Sequence, residues 1–236
     1  MIRVNHGRVP SYPVYLFDID GTLLDSAEDI CGAIQQVLVA HGSPPREFEY
    51  LKSFVGLHLN DCFRDALPHF TDDLSADLIA QYRTLYLGAG HANTRVFPGV
   101  REGLAALGGR KSTATTKGSI TTRAVLEQFG LIQHFDHVQG TDGFPCKPAP
   151  DVIHAALAAL AAQPEDCLFV GDSPADMEAG RRAGVKVCAV RYGYGNPEEL
   201  ARCEPDYWVE DLRELAVARS TSRRTETPAA LGEEAR

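Results

Sequence analysis

The sequence predicts an α/β fold, a Rossmann-like, doubly wound and mostly parallel sheet with a helical unit inserted after its first strand. Three observations carry this reading. Short apolar, β-rich runs at 14–17, 167–170 and 186–190 each end near a Gly or an Asp, as buried parallel strands do when they deliver loops to one sheet edge. Helical stretches lie between such runs and close on glycine, at Gly130 after 120–129 and at Gly184 after 175–183. Residues 26 to 90 break the alternation, with helical periodicity and no convincing strand.

Taken in order, 14–17 is the first strand. In the insert, Ile30, Ile34, Val37 and Leu38 form one apolar stripe, and Leu59, Cys62, Phe63, Ala66 and Leu67 form a second. Leu74, Leu78, Tyr82 and Leu85 form a third. Gly88 to Asn93, followed by Phe97-Pro98-Gly99, reads as a hinge back to the sheet. A strand is expected from near Lys111, then helices at 120–129 and 151–162, a strand at 167–170, a helix at 175–183 and a strand at 186–190. The expected division is a core of 1–25 plus 92–217, a helical cap of 26–91 and a disordered tail of 218–236, poor in apolar residues.

Composition narrows the function classes. The 236 residues carry 23 Lys plus Arg against 32 Asp plus Glu, a formal charge of -9, with 44 % apolar residues. No extended basic face follows from that balance, so nucleic acid and anionic membrane are poor partners. The longest Ala/Leu segment, 152–162, contains His154 and is too short to cross a bilayer. The expectation is an unexported, cytoplasmic protein, monomer or homodimer, acting on a small molecule. The six cysteines (31, 62, 146, 167, 188, 203) form no Cys-x-x-Cys pair and several sit in apolar runs, which favours reduced core thiols. The eight histidines show no metal-ligand spacing.

The chemistry concentrates at strand ends. The first strand runs into Phe17-Asp18-Ile19-Asp20-Gly21-Thr22-Leu23. Two carboxylates at i and i+2 point the same way on extended backbone, and the glycine permits the turn that follows. A second acidic cluster, Gly171-Asp172-Ser173-Pro174-Ala175-Asp176, leaves another apolar strand, with Asp176 in the first turn of the next helix. There a plain helix-dipole role competes with a functional one. Four converging carboxylates repel, and a hard divalent cation such as Mg²⁺ resolves the conflict. Thr115-Thr116-Lys117 ends the strand begun near Lys111, placing a hydroxyl at the same edge. Lys147, in Cys146-Lys147-Pro148-Ala149-Pro150 between an expected strand and a helix, supplies the cation an incoming phosphate requires. Gly140-Thr-Asp-Gly143 and Gly193-Tyr-Gly195 read as turns, not a dinucleotide fingerprint. Arg64 and Arg83 in the insert are candidates to meet an anionic substrate tail, though surface arginines are usually solvated. Cys146, beside Lys147, is read as inert.

The ordered set DxDGT, strand-end hydroxyl, Lys-Pro and GDSxxD resembles the haloacid dehalogenase superfamily of phosphohydrolases, over about residues 12 to 215. DGTLLDS (20–26), FVGLHL (54–59), YRTLYL (82–87), KPAPD (147–151) and YGYG (192–195) are similar to its phosphoglycolate phosphatase branch, in which a helical cap follows the first motif. The resemblance implies a Mg²⁺-dependent phosphatase of a small phosphorylated metabolite. Asp18 would be the nucleophile and Asp20 the acid and then base. Metal ligands would be the carboxylates of Asp18 and Asp172 and the backbone carbonyl of Asp20, with Asp176 supporting them from behind. Lys147 and Thr115 would hold phosphoryl oxygens. Thr116 competes for the hydroxyl role, and Thr115 is preferred because it precedes Thr-Lys as the family's Thr precedes Asn-Lys. The polar strand Arg110-Lys111-Ser112-Thr113 departs from the family's apolar run. A sugar phosphomutase shares these motifs, and a phospho-acceptor signalling domain shares the residue types.

Overall fold

The computed structural model describes residues 8–216, so the expected tail of 218–236 lies outside the described residues. Strand β1 (Val14–Phe17) is fully buried, and its alternation divides the interior. Val14 and Leu16 join one apolar cluster, while Tyr15 and Phe17 join the other, as the period of two along a strand requires. The remaining strands of its sheet are β4 (Arg110–Thr113), β5 (Cys167–Gly171), β6 (Lys186–Val190) and β7 (Tyr207–Val209), in the order β4-β1-β5-β6-β7. Every pairing is parallel. A separate antiparallel pair joins β2 (Leu24–Asp25) to β3 (Arg95–Val96). The chain runs from β1 to β4 on one side and from β4 to β5 on the other, so the strand order reverses about β1. The carboxyl ends at such a switch point form a crevice where α/β proteins bind ligands.

The helices follow the sequence pattern closely. After β2 come α1 (Ala27–Ala40), α2 (Phe48–Lys52), α3 (Leu59–Ala66) and α4 (Asp72–Gly88). The α1 stripe of Ile30, Ile34, Val37 and Leu38 is buried, as are Cys62, Phe63 and Ala66 of α3. On α4 the buried face is Leu78, Tyr82 and Tyr86, with Leu74 and Leu85 half-buried at its margin. These side chains belong to the same apolar cluster as Tyr15, Phe17 and Val170, so the helical insert packs continuously onto one face of the sheet. Beyond the insert lie α5 (Val100–Ala106), α6 (Ser119–Gln128), α7 (Asp151–Ala159), α8 (Pro174–Ala183) and α9 (Pro197–Arg202). Val152, Ile153, Ala156 and Leu157 of α7 cover the opposite face with Ala179 and Ala183 of α8.

Asp29, in the first turn of α1, fastens the chain where it leaves the insert. Its carboxylate accepts from the backbone N–H groups of Asn93 and Thr94 and, at 2.6 Å, from the Thr94 hydroxyl. The hinge expected at 88–93 is thus tied back to the start of the insert.

Two local expectations need correction. The segment before Lys147 is not a strand, since it contributes one bridging residue, His137, opposite Ser112. That segment explains the polar strand β4. As an edge strand, β4 is covered by a loop, not by another strand: the Thr113 hydroxyl exchanges hydrogen bonds with the Gln139 backbone at 2.8 Å, and the Lys111 N–H donates to Asp136. The Thr113 hydroxyl at this edge hydrogen-bonds a loop backbone, a task an apolar side chain could not perform.

Candidate active site

Asp18 leaves β1 at its carboxyl end, with its N–H donating to the Val170 carbonyl of β5 at 2.9 Å. Asp20 follows two residues on, and Gly21 turns the chain at φ +87°. A side chain at Gly21 would fall 2.2 Å from an Asp172 carboxylate oxygen, so only glycine lets this turn lie against that acid. Gly193 closes the other side, where an added Cβ would lie 2.3 Å from that of Asp172. The tight Tyr-Gly-Tyr-Gly turn therefore helps wall in the second acidic cluster, a role that its reading as a plain turn did not include.

Asp18, Asp172 and Asp176 are all buried, and each offers a carboxylate oxygen within 4.8 Å of the others. At that separation and an effective dielectric of about 20, two full charges repel by roughly 3–4 kcal/mol. Burial pushes the Asp172 carboxyl up to about 8, helped by Asp176 and Asp18 and opposed by the Tyr194 N–H and the Thr22 hydroxyl. Burial likewise raises Asp18 to about 6, with Lys147 pulling it down and Asp176 and Asp20 pushing it up.

Each acid is held differently. Asp172 accepts from the Thr22 hydroxyl at 2.9 Å and from the Tyr194 N–H at 2.8 Å. Asp176 spends both oxygens: Oδ1 lies 2.5 Å from Lys147 Nζ, while Oδ2 accepts from the N–H groups of Asp172 and Ser173 and the Ser173 hydroxyl. Together with the return bond from the Asp176 N–H to Ser173 Oγ this is a capping box on α8. The dipole-pairing reading of Asp176 and its contact with the other acids thus hold together. Asp18 is the exception. Its Oδ1 sits 2.7 Å from Lys147 Nζ, and among the described residues no backbone N–H and no hydroxyl donates to its carboxylate. A buried carboxylate met by one ammonium and by no backbone N–H or hydroxyl keeps lone pairs for a further partner.

Lys147 is buried against Asp18, Asp176 and the Ala114 carbonyl at 3.2 Å, and lies over the Phe169 ring. Burial alone would lower its pKa, but Asp176 and Asp18 outweigh that and hold the ammonium charged. The contact with Ala114 links it to the end of β4. Thr115, the next residue, is buried, and its hydroxyl accepts from the Lys117 N–H at 3.4 Å. Thr116 is half-buried and faces a cavity beside Asp20.

Two neighbours of Asp20 were not singled out from sequence. Ser26 donates its hydroxyl to Asp20 Oδ1 at 2.6 Å, and Lys117 Nζ lies 3.1 Å from Oδ2. Ser26 occupies the N-cap of α1 but makes no side-chain cap bond there. The Tyr194 hydroxyl instead accepts from the N–H groups of Ser26 and Ala27, at 2.6 and 3.0 Å. That releases the serine for the carboxylate. Lys117 is held by the Tyr86 ring of α4, 4.4 Å from its centroid, and its pKa rises because Asp20 and Tyr82 overcome the burial that lowers it. The only signals available in the sequence were a lysine two residues past a strand-end threonine and a serine one turn beyond a glycine.

The cavity beside Asp20 has a volume of about 280 Å³ and lies between the insert and the sheet edge. Its walls come from the 54–59 loop, α1 and α4 on one side and from 116–118 and 141–146 on the other. The two arginines of the insert separate here. Arg64 pairs with Asp61 and Asp72 and lies over Phe70, away from this cavity, whereas Arg83 lines it. Cys146 is half-buried at its edge, with burial pushing its thiol up to about 11, and all six cysteines are free.

The chain is similar to known proteins over most of its length. The family model described as haloacid dehalogenase-like hydrolase matches residues 15–190. A phosphoglycolate phosphatase of Vibrio parahaemolyticus is 34 % identical over 210 residues, covering 84 % of this chain and 92 % of the relative. A 5'-nucleotidase of Pseudomonas aeruginosa is 32 % identical over 209 residues, covering 86 % and 94 %. Among solved structures, a predicted phosphatase from Clostridium acetobutylicum superposes with a TM-score of 0.80 at 29 % identity, covering 87 % of this chain and 97 % of that one.

Proposed function

The chain belongs to the haloacid dehalogenase-like hydrolases, and from that premise we propose that it is a Mg²⁺-dependent phosphatase of a small phosphorylated metabolite, working through a phosphoryl group carried on Asp18. Its class is that of the phosphoric monoester hydrolases, as for relatives that share a third of its sequence. The observation that carries the finer reading is Asp18 itself: a buried carboxylate to which no backbone N–H or hydroxyl donates, 2.7 Å from a buried lysine and beside two further acids.

The residues fit a divalent cation. Two buried acids whose carboxyls are driven up to about 6 and about 8 by burial and by neighbouring carboxylates, with one lysine among three acids, are a donor set that a divalent cation would neutralise. Asp18 and Asp172 would hold the ion with the Asp20 carbonyl, and Asp176 would steady it by holding the Asp172 N–H. When bound, Mg²⁺ neutralises these carboxylates and draws charge from a phosphoryl oxygen.

The chain's own groups account for the rest. Asp18 attacks phosphorus, the phosphorus–oxygen ester bond breaks, and Asp20 gives its proton to the departing oxygen. Asp20 then takes a proton from water as that water attacks the aspartyl-phosphate, releasing inorganic phosphate and restoring Asp18. Ser26 and Lys117 fix the Asp20 carboxylate for both transfers. Lys147 remains beside Asp18 to meet the charge on the transferring oxygens, and the strand-end hydroxyl of Thr115, or of Thr116, meets another. A phosphoglycolate-like ester is the substrate favoured by the Vibrio relative.

The test is release of inorganic phosphate from 2-phosphoglycolate and p-nitrophenyl phosphate with Mg²⁺. Asp18→Asn should lose at least about 10⁴-fold in kcat while keeping its fold. Turnover of that variant at the wild-type rate, or an isomerised ester appearing in place of phosphate, would overturn the proposal.

A further inference from the structure

We propose that Lys117 is a catalytic residue of this site: its ammonium donates a hydrogen bond to the ester oxygen as that oxygen leaves phosphorus, and so stabilises the charge that Asp20 then quenches with a proton. The inference rests on the phosphatase reading and adds to it a second residue that acts on the leaving group.

Position comes first. Lys117 Nζ lies 3.1 Å from Asp20 Oδ2, and the side chain, 9 % exposed, lines the cavity that opens beyond Asp20 between the insert and the sheet edge. The leaving oxygen must stand within hydrogen-bond reach of the carboxyl that protonates it, with the rest of the ester running into that cavity. Ser26 takes the other oxygen of Asp20 and is not among the lining residues. The carboxyl oxygen on the cavity side is therefore the one that Lys117 shares.

The ammonium is also held in place. Lysine carries its charge on a flexible four-carbon stem. Here Nζ lies 4.4 Å from the centroid of the Tyr86 ring and 3.4 Å from its hydroxyl, and that ring is stacked on Tyr82, both of them buried on α4. At the other end of the residue, the Lys117 N–H donates to the Thr115 hydroxyl at 3.4 Å. One short turn thus brings a hydroxyl to the phosphoryl end and an ammonium to the ester end. An ammonium has three N–H bonds, and among the described residues two oxygens, Asp20 Oδ2 and the Tyr86 hydroxyl, are there to take them. The third is left for the substrate.

The electron count gives that N–H its task. When the phosphorus–oxygen bond breaks, its electron pair stays on the ester oxygen, which is negative until the Asp20 proton reaches it. A cation already fixed beside this oxygen stabilises the charge without moving, and the apolar walls of Ile30, Ile34, Phe54 and Ile79 strengthen the interaction. Lys117 keeps its own protons throughout. Lys147, against Asp18 and Asp176, is placed for the phosphoryl oxygens, so the two lysines serve opposite ends of the breaking bond.

The test separates action on the ester oxygen from the holding of Asp20. Phenyl phosphate and p-nitrophenyl phosphate are alike in shape, but nitrophenolate departs without help and phenolate does not. Their kcat/KM values in Mg²⁺ are measured for Asp20→Ala and for Asp20→Ala with Lys117→Met, a background with no acid left to hold. Removing both partners of a buried pair leaves no unpaired charge, so the double variant should fold, as a melt would show. It should lose roughly 10- to 100-fold more on phenyl phosphate than on p-nitrophenyl phosphate, and Lys117→Arg in place of Lys117→Met should recover part of that difference. No further loss on phenyl phosphate shows that Lys117 acts only through Asp20 and overturns the proposal. An equal loss on both esters marks a charge that merely binds phosphate and overturns it too. Both results leave the phosphatase reading standing. A second measure keeps Asp20: Lys117→Gln should widen the gap between the two esters more than Ser26→Ala, which removes only a holder of Asp20, and equal gaps overturn the proposal. A folded wild type that releases phosphate from neither ester overturns the phosphatase reading and this inference with it.

Discussion

Lys147 lies against Asp18, Asp176 and the Ala114 carbonyl at the sheet edge, 4 % exposed, while Arg83 stands exposed on α4 with no partner among the described residues. The two cations sit in opposite kinds of place. Around Lys147, acids are buried beside one another, backbone N–H groups are spent on carboxylates, and glycines are required because any larger residue would strike Asp172. Around Arg83 the walls are apolar side chains from α1, α4 and a loop, and among the described residues no hydrogen bond or ion pair holds the guanidinium. Asp20 belongs to both regions. Chemistry common to every phosphate ester needs groups held in one arrangement, whereas selection among esters needs space.

Substitutions should expose that contrast, the largest effects coming from the buried end. Lys147→Met leaves Asp18 and Asp176 without their cation, so it should lower kcat by roughly 10²- to 10³-fold and destabilise the fold by about 3–5 kcal/mol, read from turnover and a urea melt. A variant that loses activity with an unchanged melt would show that the buried end is less interdependent than its contacts suggest. Arg83→Gln, by contrast, should leave the melt where it was, because an exposed side chain without partners contributes little to stability.

Ser26→Ala sits on the boundary. It removes the hydroxyl that fixes Asp20 but leaves the α1 cap to Tyr194, so kcat should fall about 10-fold with a loss of stability below about 1 kcal/mol. If helix α1 is what suffers, the melt will fall while kcat holds, and the division of labour between Ser26 and Tyr194 is wrong.

The smallest effect is one of pH. With folded-state carboxyls at about 8 for Asp172 and about 6 for Asp18, above the ordinary 3.8, the folded chain binds more protons than the unfolded one between those values. Stability of the metal-free protein is therefore fully present at low pH and declines as pH rises through those values. A divalent cation displaces the protons and cancels the decline. The rise in Tm on adding Mg²⁺ should be a few degrees larger at about pH 8 than at about pH 5.5, and an equal rise at both would contradict the site.

Much of the buried end was legible in the sequence, because strand-end acids announce themselves. Asp18 and Asp172 each follow an apolar run, with Asp20 and Asp176 shortly after them, and the parallel register of β1 with β5 brings both runs to one edge. Lys147 stood out for its proline-bounded loop. What stayed hidden depends on contacts distant in sequence. No local pattern says that Tyr194 caps α1, 167 residues earlier in the chain, nor that Lys117 rests on Tyr86. The polar strand β4 looked anomalous only because sequence does not show that a loop, not a strand, lies along its outer side. Arg64 and Arg83 were equivalent as letters, and only the fold gives one of them partners.

The most direct measurement is covalent trapping at the buried end. Enzyme turning over 2-phosphoglycolate in Mg²⁺ is quenched in acid and reduced with borohydride, which converts an acyl-phosphorylated aspartate to homoserine. The tryptic digest is then read by mass spectrometry. Homoserine at position 18, formed only when substrate is present, is the expected result. Full turnover with position 18 still aspartate, or with the label on another residue, would contradict the assignment of Asp18 as the group that carries the phosphoryl.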